Sequence, residues 1–170
     1  MALALQQRLL QMLSAGIHST ADVEDLVAGD WAHLLVMARQ HQLGPLLHWR
    51  IEANASLVPK PFAEAIAASF QKHTLRSMEV RAEMSRVQRI MRESEIPAVF
   101  LKGAYLAFHV YPRAALRPLR NLDLLVPESQ ASDAFHALQS STLRRPGSRA
   151  NEPMRRIPVE LHTRLNCCIS

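Results

Sequence analysis

Apolar side chains recur every three or four positions through most of residues 1–95, which is the period of an α-helix with one buried face. This spacing predicts a short helix over residues 3–13, which stops near Gly16. A second helix is predicted over residues 31–42, and Asp30 is a suitable N-cap because its carboxylate can accept a backbone N–H of the first turn. The chain is therefore predicted to begin as a set of helices.

Prolines divide the remainder of this helical part. The Gly-Pro pair that ends at Pro45 closes the second predicted helix, and residues 46–53 have the spacing of one or two further turns. Pro61 opens the next predicted helix, over residues 61–73, because proline is well tolerated in a first helical turn. A long amphipathic stretch then continues to about Ser94.

The pattern changes after residue 95, where short apolar or alternating runs replace the helical period. Continuous apolar runs indicate buried strands, and polar–apolar alternation indicates a strand with two different faces. These runs predict strands over 98–101, 121–126 and 157–165, helices over 104–110 and 132–139, and a polar loop over 140–153. The predicted fold class is α+β, with a helical region over 1–95 and a small mixed-sheet core over 96–170.

Composition narrows the class of protein further. Of the 170 residues 48% are apolar and only 5% are aromatic, which argues against wholesale disorder and against an all-β sandwich. No apolar run approaches the roughly 20 residues that span a bilayer, and residues 1–13 lack the basic leader of a signal peptide. The only cysteines, Cys167 and Cys168, are adjacent and cannot cross-link the fold. We expect a cytoplasmic protein with no membrane contact.

The net charge of +5 comes entirely from the second part of the chain. Residues 1–95 carry ten basic and ten acidic residues, whereas residues 96–170 carry ten basic and five acidic residues. A basic surface attracts anions such as a nucleoside triphosphate or a nucleic acid. The alternative is a basic surface that serves solubility alone.

One group of polar residues falls where the predicted strands meet the predicted helices. Gly103 follows a strand and opens a helix, an arrangement that brings backbone N–H groups close to a phosphate, and Lys102 stands beside it. Asn121 and Asp123 are two apart on the next strand and therefore share one face. Together with Glu160 on the third strand, they offer oxygen ligands for a divalent cation.

Three segments carry a resemblance to a known family. FLKGAYLAFHVYP (100–112), LRPLRNLDLLV (116–126) and VELH (159–162) resemble an uncharacterised nucleotidyltransferase family found in bacteria, which belongs to the polymerase-beta-like nucleotidyltransferase superfamily. The helical segment DWAHLLVMARQH (30–41) is also similar, and the resemblance covers most of residues 30–165. It implies a nucleotidyltransferase-like core in the second part of the chain.

The resemblance implies a role for each matching residue. Lys102, Gly103 and Arg117 would bind the nucleotide, an NTP such as ATP. Asp123 and Glu160 would be the catalytic carboxylates and would hold Mg²⁺.

Two features differ from the family pattern, and one further residue lies close to the predicted site in sequence. Asn121 stands where the family has its first carboxylate, so it would offer Mg²⁺ a carbonyl oxygen without a charge. His162 follows Glu160 by two residues, and we interpret it as a structural histidine rather than a ligand. The chain ends at Ser170, sooner after the third strand than relatives do, so we expect a truncated core.

The implied activity is the transfer of a nucleoside monophosphate from an NTP to an unknown hydroxyl acceptor, which is a small molecule, a protein or a nucleic acid, with Mg²⁺ as cofactor. The alternative is a non-catalytic relative that keeps the fold and binds a nucleotide, a nucleic acid or a protein. Asn121 keeps this alternative open, because the loss of a carboxylate weakens the metal site.

Overall fold

The computed structural model describes residues 2–143 and 157–164, and in these residues the fold is α+β, as predicted. The helices are α1 (Ala2–Ser14), α2 (Ala28–Gln40), α3 (Gly44–Ile51), α4 (Lys60–Glu93), α5 (Lys102–His109) and α6 (Ala131–Leu143), and the strands are β1 (Val99–Phe100), β2 (Leu122–Leu125) and β3 (Val159–His162). Short 3₁₀ helices lie at Thr20–Asp22, Glu52–Leu57, Ala114–Leu116 and Glu128–Gln130. None of the described helices combines the length and the apolar character needed to cross a membrane.

The chain divides into two compact units. The first comprises Met1–Arg76 with Pro112–Pro118, and the second comprises Ser77–Tyr111 with Leu119–Ser170. The division falls within α4, so that this helix contributes to both units. The domain division at residue 95 stays a prediction from the sequence.

The first unit is built from helices that share one apolar core. α1 ends near Gly16 as predicted: the Gly16 N–H donates to the carbonyl of Met12 at 3.1 Å, and Gly16 has a φ of +84°, which a residue without a Cβ adopts freely. Trp31 meets Phe62 edge to face, with ring centroids 4.9 Å apart. The buried residues of this core are Leu5, Leu9, Met12, Ile17, Val23, Trp31, Leu34, Ala38, Leu47, Ile51, Val58, Phe62 and Ile66.

The N-terminus of α2 corrects one prediction. Asp30 is not the N-cap, because the helix already begins at Ala28 and Val27 is the capping residue. The Asp30 carboxylate still accepts a hydrogen bond from a free backbone N–H, that of Val27, at 3.1 Å. The acidic side chain therefore stabilises the start of the helix from inside its first turn, where the helix dipole also favours negative charge.

α4 is one continuous helix of 34 residues, where the sequence predicted a helix over 61–73 followed by a separate amphipathic stretch. No glycine or proline occurs between Pro61 and Pro97, so nothing in this stretch interrupts the helical hydrogen bonds. The chain leaves the helix through Glu95, which has a φ of +55°, and the Ile96 N–H closes the end by donating to the carbonyl of Met91 at 2.8 Å.

The second unit contains the mixed sheet, in the order β1-β2-β3. β1 pairs with β2 in the antiparallel direction, with Phe100 opposite Leu124, and β2 pairs with β3 in the parallel direction, with Asp123 opposite Glu160. The buried apolar residues around the sheet form two clusters, one of Val87, Ile90, Met91, Ile96, Leu124, Val126 and Ala134 and the other of Val80, Met84, Ala104, Leu122 and Ile157. Because it pairs with both other strands, β2 is the central strand of the sheet.

The three strands and two helices predicted after residue 95 are all present, with different ends. Each strand is shorter than predicted, and the predicted strand end at Leu165 lies outside the described residues. The predicted loop over 140–153 begins as the last turn of α6, which reaches Leu143, and the rest of that loop also lies outside the described residues.

Candidate metal centre

The central position of β2 buries a carboxylate. Leu122 and Leu124 pack into the two apolar clusters, and Asp123 between them points to the opposite face of the strand. Asp123 is only 6% exposed. An aspartate is rarely buried to this degree unless its charge is paired, so its partners define the site.

The register of β3 supplies two further polar side chains. Glu160 lies directly opposite Asp123 on the neighbouring parallel strand, and His162 follows two residues later on the same face. One ligand atom from each of these three residues lies within 4.8 Å of the other two. The strand register alone therefore brings two carboxylates and an imidazole together.

Two donors converge on one oxygen of the buried carboxylate. Nε2 of His162 lies 2.7 Å from Oδ1 of Asp123, and Nζ of Lys102 lies 3.0 Å from the same atom. The side chain of Asp123 is 9% exposed, whereas that of Lys102 is 62% exposed. An ammonium group that remains largely in solvent thus neutralises a carboxylate that is largely removed from it.

The turn between β1 and α5 positions Lys102. The Leu101 N–H donates to the carbonyl of Asp123 at 2.9 Å, which extends the pairing with β2 to the last residue before the helix. Lys102 then adopts a φ of +47°, a left-handed conformation that costs a non-glycine residue about 1 kcal/mol, and α5 begins. Backbone strain at this turn accompanies the placement of the lysine beside Asp123.

Gly103 lies in the first turn of α5, as predicted. A Cβ at this position would approach Cδ2 of Leu119 to 2.7 Å, which is closer than real contacts allow. Gly103 therefore permits close packing against Leu119. Its predicted role in nucleotide binding remains a prediction.

The partners of Asp123 keep its carboxyl ionised. Burial by itself raises the pKa of Asp123, but the hydrogen bonds and charges of Lys102 and His162 act in the opposite direction and together outweigh it. The pKa of Asp123 is therefore lowered from its ordinary value. An ionised carboxylate is the form that binds a cation.

This lowered pKa predicts how stability depends on pH. Asp123 stabilises the fold above the ordinary aspartate pKa of about 3.9, and this contribution is lost as the pH falls through the lower pKa of the folded state. We expect the free energy of unfolding of the native chain to exceed that of Asp123→Asn above about pH 5, with the difference shrinking below about pH 4. Urea unfolding of both proteins across this range measures it, and an undiminished difference in acid would contradict the prediction.

The remaining predicted site residues lie in two places. Asn121 is half-buried and directly precedes β2, two residues before Asp123. Arg117 is exposed, follows the 3₁₀ helix Ala114–Leu116, and belongs to the first unit. The structure thus brings Lys102, Asp123 and Glu160 together in the second unit, and the roles predicted for Asn121 and Arg117 remain predictions.

His162 contacts the buried carboxylate directly, and its interpretation as a structural histidine remains a prediction. Its Nε2 is closer to Asp123 than any other donor described here, at 2.7 Å. The signal was present in the sequence, because Glu160 and His162 are two apart on a predicted strand and must share a face. Sequence alone could not place that face against Asp123, since this depends on the parallel register.

The chemistry of the donor set fits a divalent cation. Asp123 and Glu160 provide two carboxylates on neighbouring strands, and His162 provides a nitrogen. Carboxylates are the protein ligands that Mg²⁺ prefers, and Mg²⁺ completes its shell with water and phosphate oxygens. Asp123 and Glu160 are the residues that would hold such an ion.

Fold and site together define a class of protein: an α+β chain whose sheet presents paired carboxylates beside a lysine at a strand-to-helix turn. A family model described as an uncharacterised nucleotidyltransferase matches residues 28–166, and the chain belongs to this family. The match includes every residue of the site and confirms the resemblance found in the sequence. No curated protein and no solved structure matches the chain.

Proposed function

We propose that this chain transfers a nucleoside monophosphate from an NTP, with ATP as the first candidate, to a hydroxyl acceptor in a Mg²⁺-dependent reaction. One observation supports this most directly: Asp123 and Glu160 lie opposite each other on parallel strands, with the Lys102 ammonium group 3.0 Å from the Asp123 carboxylate. The membership of the nucleotidyltransferase family supports the same reaction class. We also propose a cytoplasmic location, on the basis of the adjacent Cys167 and Cys168.

In this proposal the side chains of the site bind the cation and the nucleotide. Asp123 and Glu160 hold the cation, which when bound neutralises negative charge on the triphosphate. Lys102 is exposed enough to donate to a phosphate oxygen, and Arg117 and Gly103 are further predicted contacts to the nucleotide.

The reaction forms a bond between the acceptor oxygen and the α-phosphorus and breaks the bond to the β-phosphate, so that pyrophosphate leaves. The hydroxyl proton of the acceptor passes to a carboxylate of the site. Glu160 is the exposed member of the pair and is the one we assign to this step.

Asn121 favours a second candidate function. An amide at the position of the family's first carboxylate brings no charge to the cation, which weakens metal binding. In this second proposal the chain retains the fold and binds a nucleotide, a nucleic acid or a protein without catalysis. The excess of basic residues in 96–170 is compatible with each of these partners except a basic protein.

Restoring the missing carboxylate provides a test of the metal site. We expect Asn121→Asp to tighten Mg²⁺-dependent NTP binding by about tenfold, because it adds a full negative charge two residues from Asp123. Calorimetric titration with a non-hydrolysable NTP analogue at several Mg²⁺ concentrations measures this effect. Gln139→Glu is the matched control, because it adds the same charge at an exposed position of α6.

The transfer itself is tested with NTP labelled at the α-phosphate. The native chain and Asn121→Asp are incubated with Mg²⁺ and either an oligoribonucleotide, a polyol or no added acceptor, the last of which detects self-labelling. Label on any acceptor that disappears with Asp123→Asn supports the transferase. If both proteins bind NTP and neither transfers label, the result supports the non-catalytic relative. If NTP binding changes neither with Mg²⁺ nor with Asn121→Asp, the result contradicts the metal site.

A further inference from the structure

The separation between His162 and Asp123 matches that of two ligands of one ion. Nε2 of His162 and Oδ1 of Asp123 lie 2.7 Å apart. Adjacent ligands in an octahedral centre with bonds of about 2.1 Å lie about 3.0 Å apart. To coordinate the same cation, the two atoms need to separate by only a few tenths of an ångström, and the proton that Nε2 donates to Asp123 must leave to solvent or move to Nδ1.

Glu160 completes the arrangement with a modest movement. Its ligand oxygen lies within 4.8 Å of both other ligand atoms and must move closer to each, because adjacent ligands of an octahedral ion are about 3.0 Å apart. Glu160 is exposed, so its side chain can rotate toward an ion at little cost in packing. The three residues are thus a facial set that leaves the other positions of the ion open to water or phosphate oxygens.

The nitrogen in this set affects the choice of ion. Mg²⁺ strongly prefers oxygen ligands and gives up water reluctantly, whereas first-row transition ions accept imidazole nitrogen more readily. The two carboxylates in the same set favour an ion that also tolerates oxygen. Mn²⁺ satisfies both conditions, and it can replace Mg²⁺ at a triphosphate because both ions take octahedral oxygen-rich shells.

We propose that His162 is a metal ligand through Nε2 and that it makes this site prefer Mn²⁺ to Mg²⁺. The inference deepens the proposed function and rests on it, since the same carboxylates, Asp123 and Glu160, hold the ion. His162 is then a specificity-determining residue, and the uncharged Asn121 leaves the imidazole as the third ligand of the set.

The test uses the full chain and measures metal binding without reference to catalysis. Mn²⁺ is titrated into the protein and followed by the electron paramagnetic resonance of the free ion, first alone and then in competition with Mg²⁺. We expect a preference for Mn²⁺ of about tenfold or more. Pulsed measurements on the bound ion are expected to show modulation from a directly coordinated imidazole nitrogen.

Two variants and a control assign the nitrogen. His162→Ala is expected to remove the modulation and to reduce the preference to about threefold or less. His162→Gln also lacks the imidazole nitrogen, but it keeps an N–H donor for Asp123. It therefore preserves the fold even if the hydrogen bond to Asp123 is needed for stability. His136→Ala changes an exposed histidine of α6 and is expected to retain both the modulation and the preference.

The outcomes separate this inference from the proposed function. Absence of imidazole modulation in the native chain, modulation that survives in both His162 variants, or equal affinity for the two ions would each overturn the inference. A nitrogen-coordinated Mn²⁺ in a chain that transfers no label sustains the inference and removes the transferase proposal. Mg²⁺-supported transfer without imidazole coordination would overturn the inference and support the transferase proposal.

Discussion

Asp123→Asn is expected to lower Mg²⁺-dependent NTP binding by about a hundredfold, the largest loss for any single change in the site. Asp123 is the buried ligand, 6% exposed, and it also receives the Lys102 and His162 hydrogen bonds. An asparagine of nearly the same shape removes the charge that attracts the cation and places an N–H₂ group or a neutral oxygen before two donors. The loss is measured by titration of a non-hydrolysable NTP analogue in the presence and absence of Mg²⁺.

A matched control separates the charge from the fold. Asp133→Asn removes the same charge from an exposed position in the first turn of α6, and we expect it to bind NTP like the native chain. Circular dichroism and urea unfolding of both variants verify that they are folded under the conditions of the titration. Undiminished Mg²⁺-dependent binding by folded Asp123→Asn would exclude the carboxylate pair as the metal site.

Much of the sheet could be predicted because strands impose a period of two. The alternation in residues 121–126 places Asp123 between two apolar neighbours, and the run VELH places Glu160 and His162 on one face. The structure shows this arrangement on β2 and β3. The fold keeps this alternation because a shift of the strand register by one residue would expose the buried leucines of the central strand.

Contacts between particular residues could not be predicted from the local sequence pattern. The pairing of Asp123 with His162 joins residues 39 apart in sequence and requires the parallel register of β2 and β3. The N-cap of α2 was predicted one turn too late because Asp30 is acceptable both as a cap and inside the first turn. Propensity alone does not distinguish those two positions, whereas the backbone of Val27 does.

The left-handed conformation of Lys102 is a further feature outside the reach of the sequence pattern. The neighbouring glycine was the obvious candidate for an unusual backbone, yet the positive φ belongs to Lys102 and Gly103 serves packing against Leu119. Lys102 has a strained backbone, and its ammonium group neutralises the buried carboxylate of Asp123. It therefore supplies the positive charge that a bound cation would supply at the same carboxylate. If Asp123 holds the proposed metal ion, we expect Lys102 and that ion to compete for Asp123.

This competition predicts opposite effects from one substitution. Lys102→Ala is expected to weaken NTP binding by about thirtyfold, because a charge-assisted hydrogen bond to phosphate is worth about 2 kcal/mol. The same variant is expected to tighten binding of the metal ion alone by about fivefold, because a repelling positive charge is removed from beside Asp123. The metal effect is the smaller because Lys102 is largely exposed and solvent screens its charge.

The measurement is a pair of titrations on the same protein, one with Mn²⁺ alone and one with the NTP analogue at saturating metal. Alanine is preferred to glycine because both alanine and lysine pay the cost of a positive φ, so the backbone strain stays the same in the comparison. Lys60→Ala is the control, since Lys60 is an exposed lysine of α4 that forms a weak surface pair with Glu64. If Lys102→Ala weakened both titrations equally, Lys102 would support the site structurally and would not compete with the ion. Unchanged NTP binding would instead remove Lys102 from the phosphate site, because an ammonium group that contacts phosphate cannot be deleted without loss of affinity.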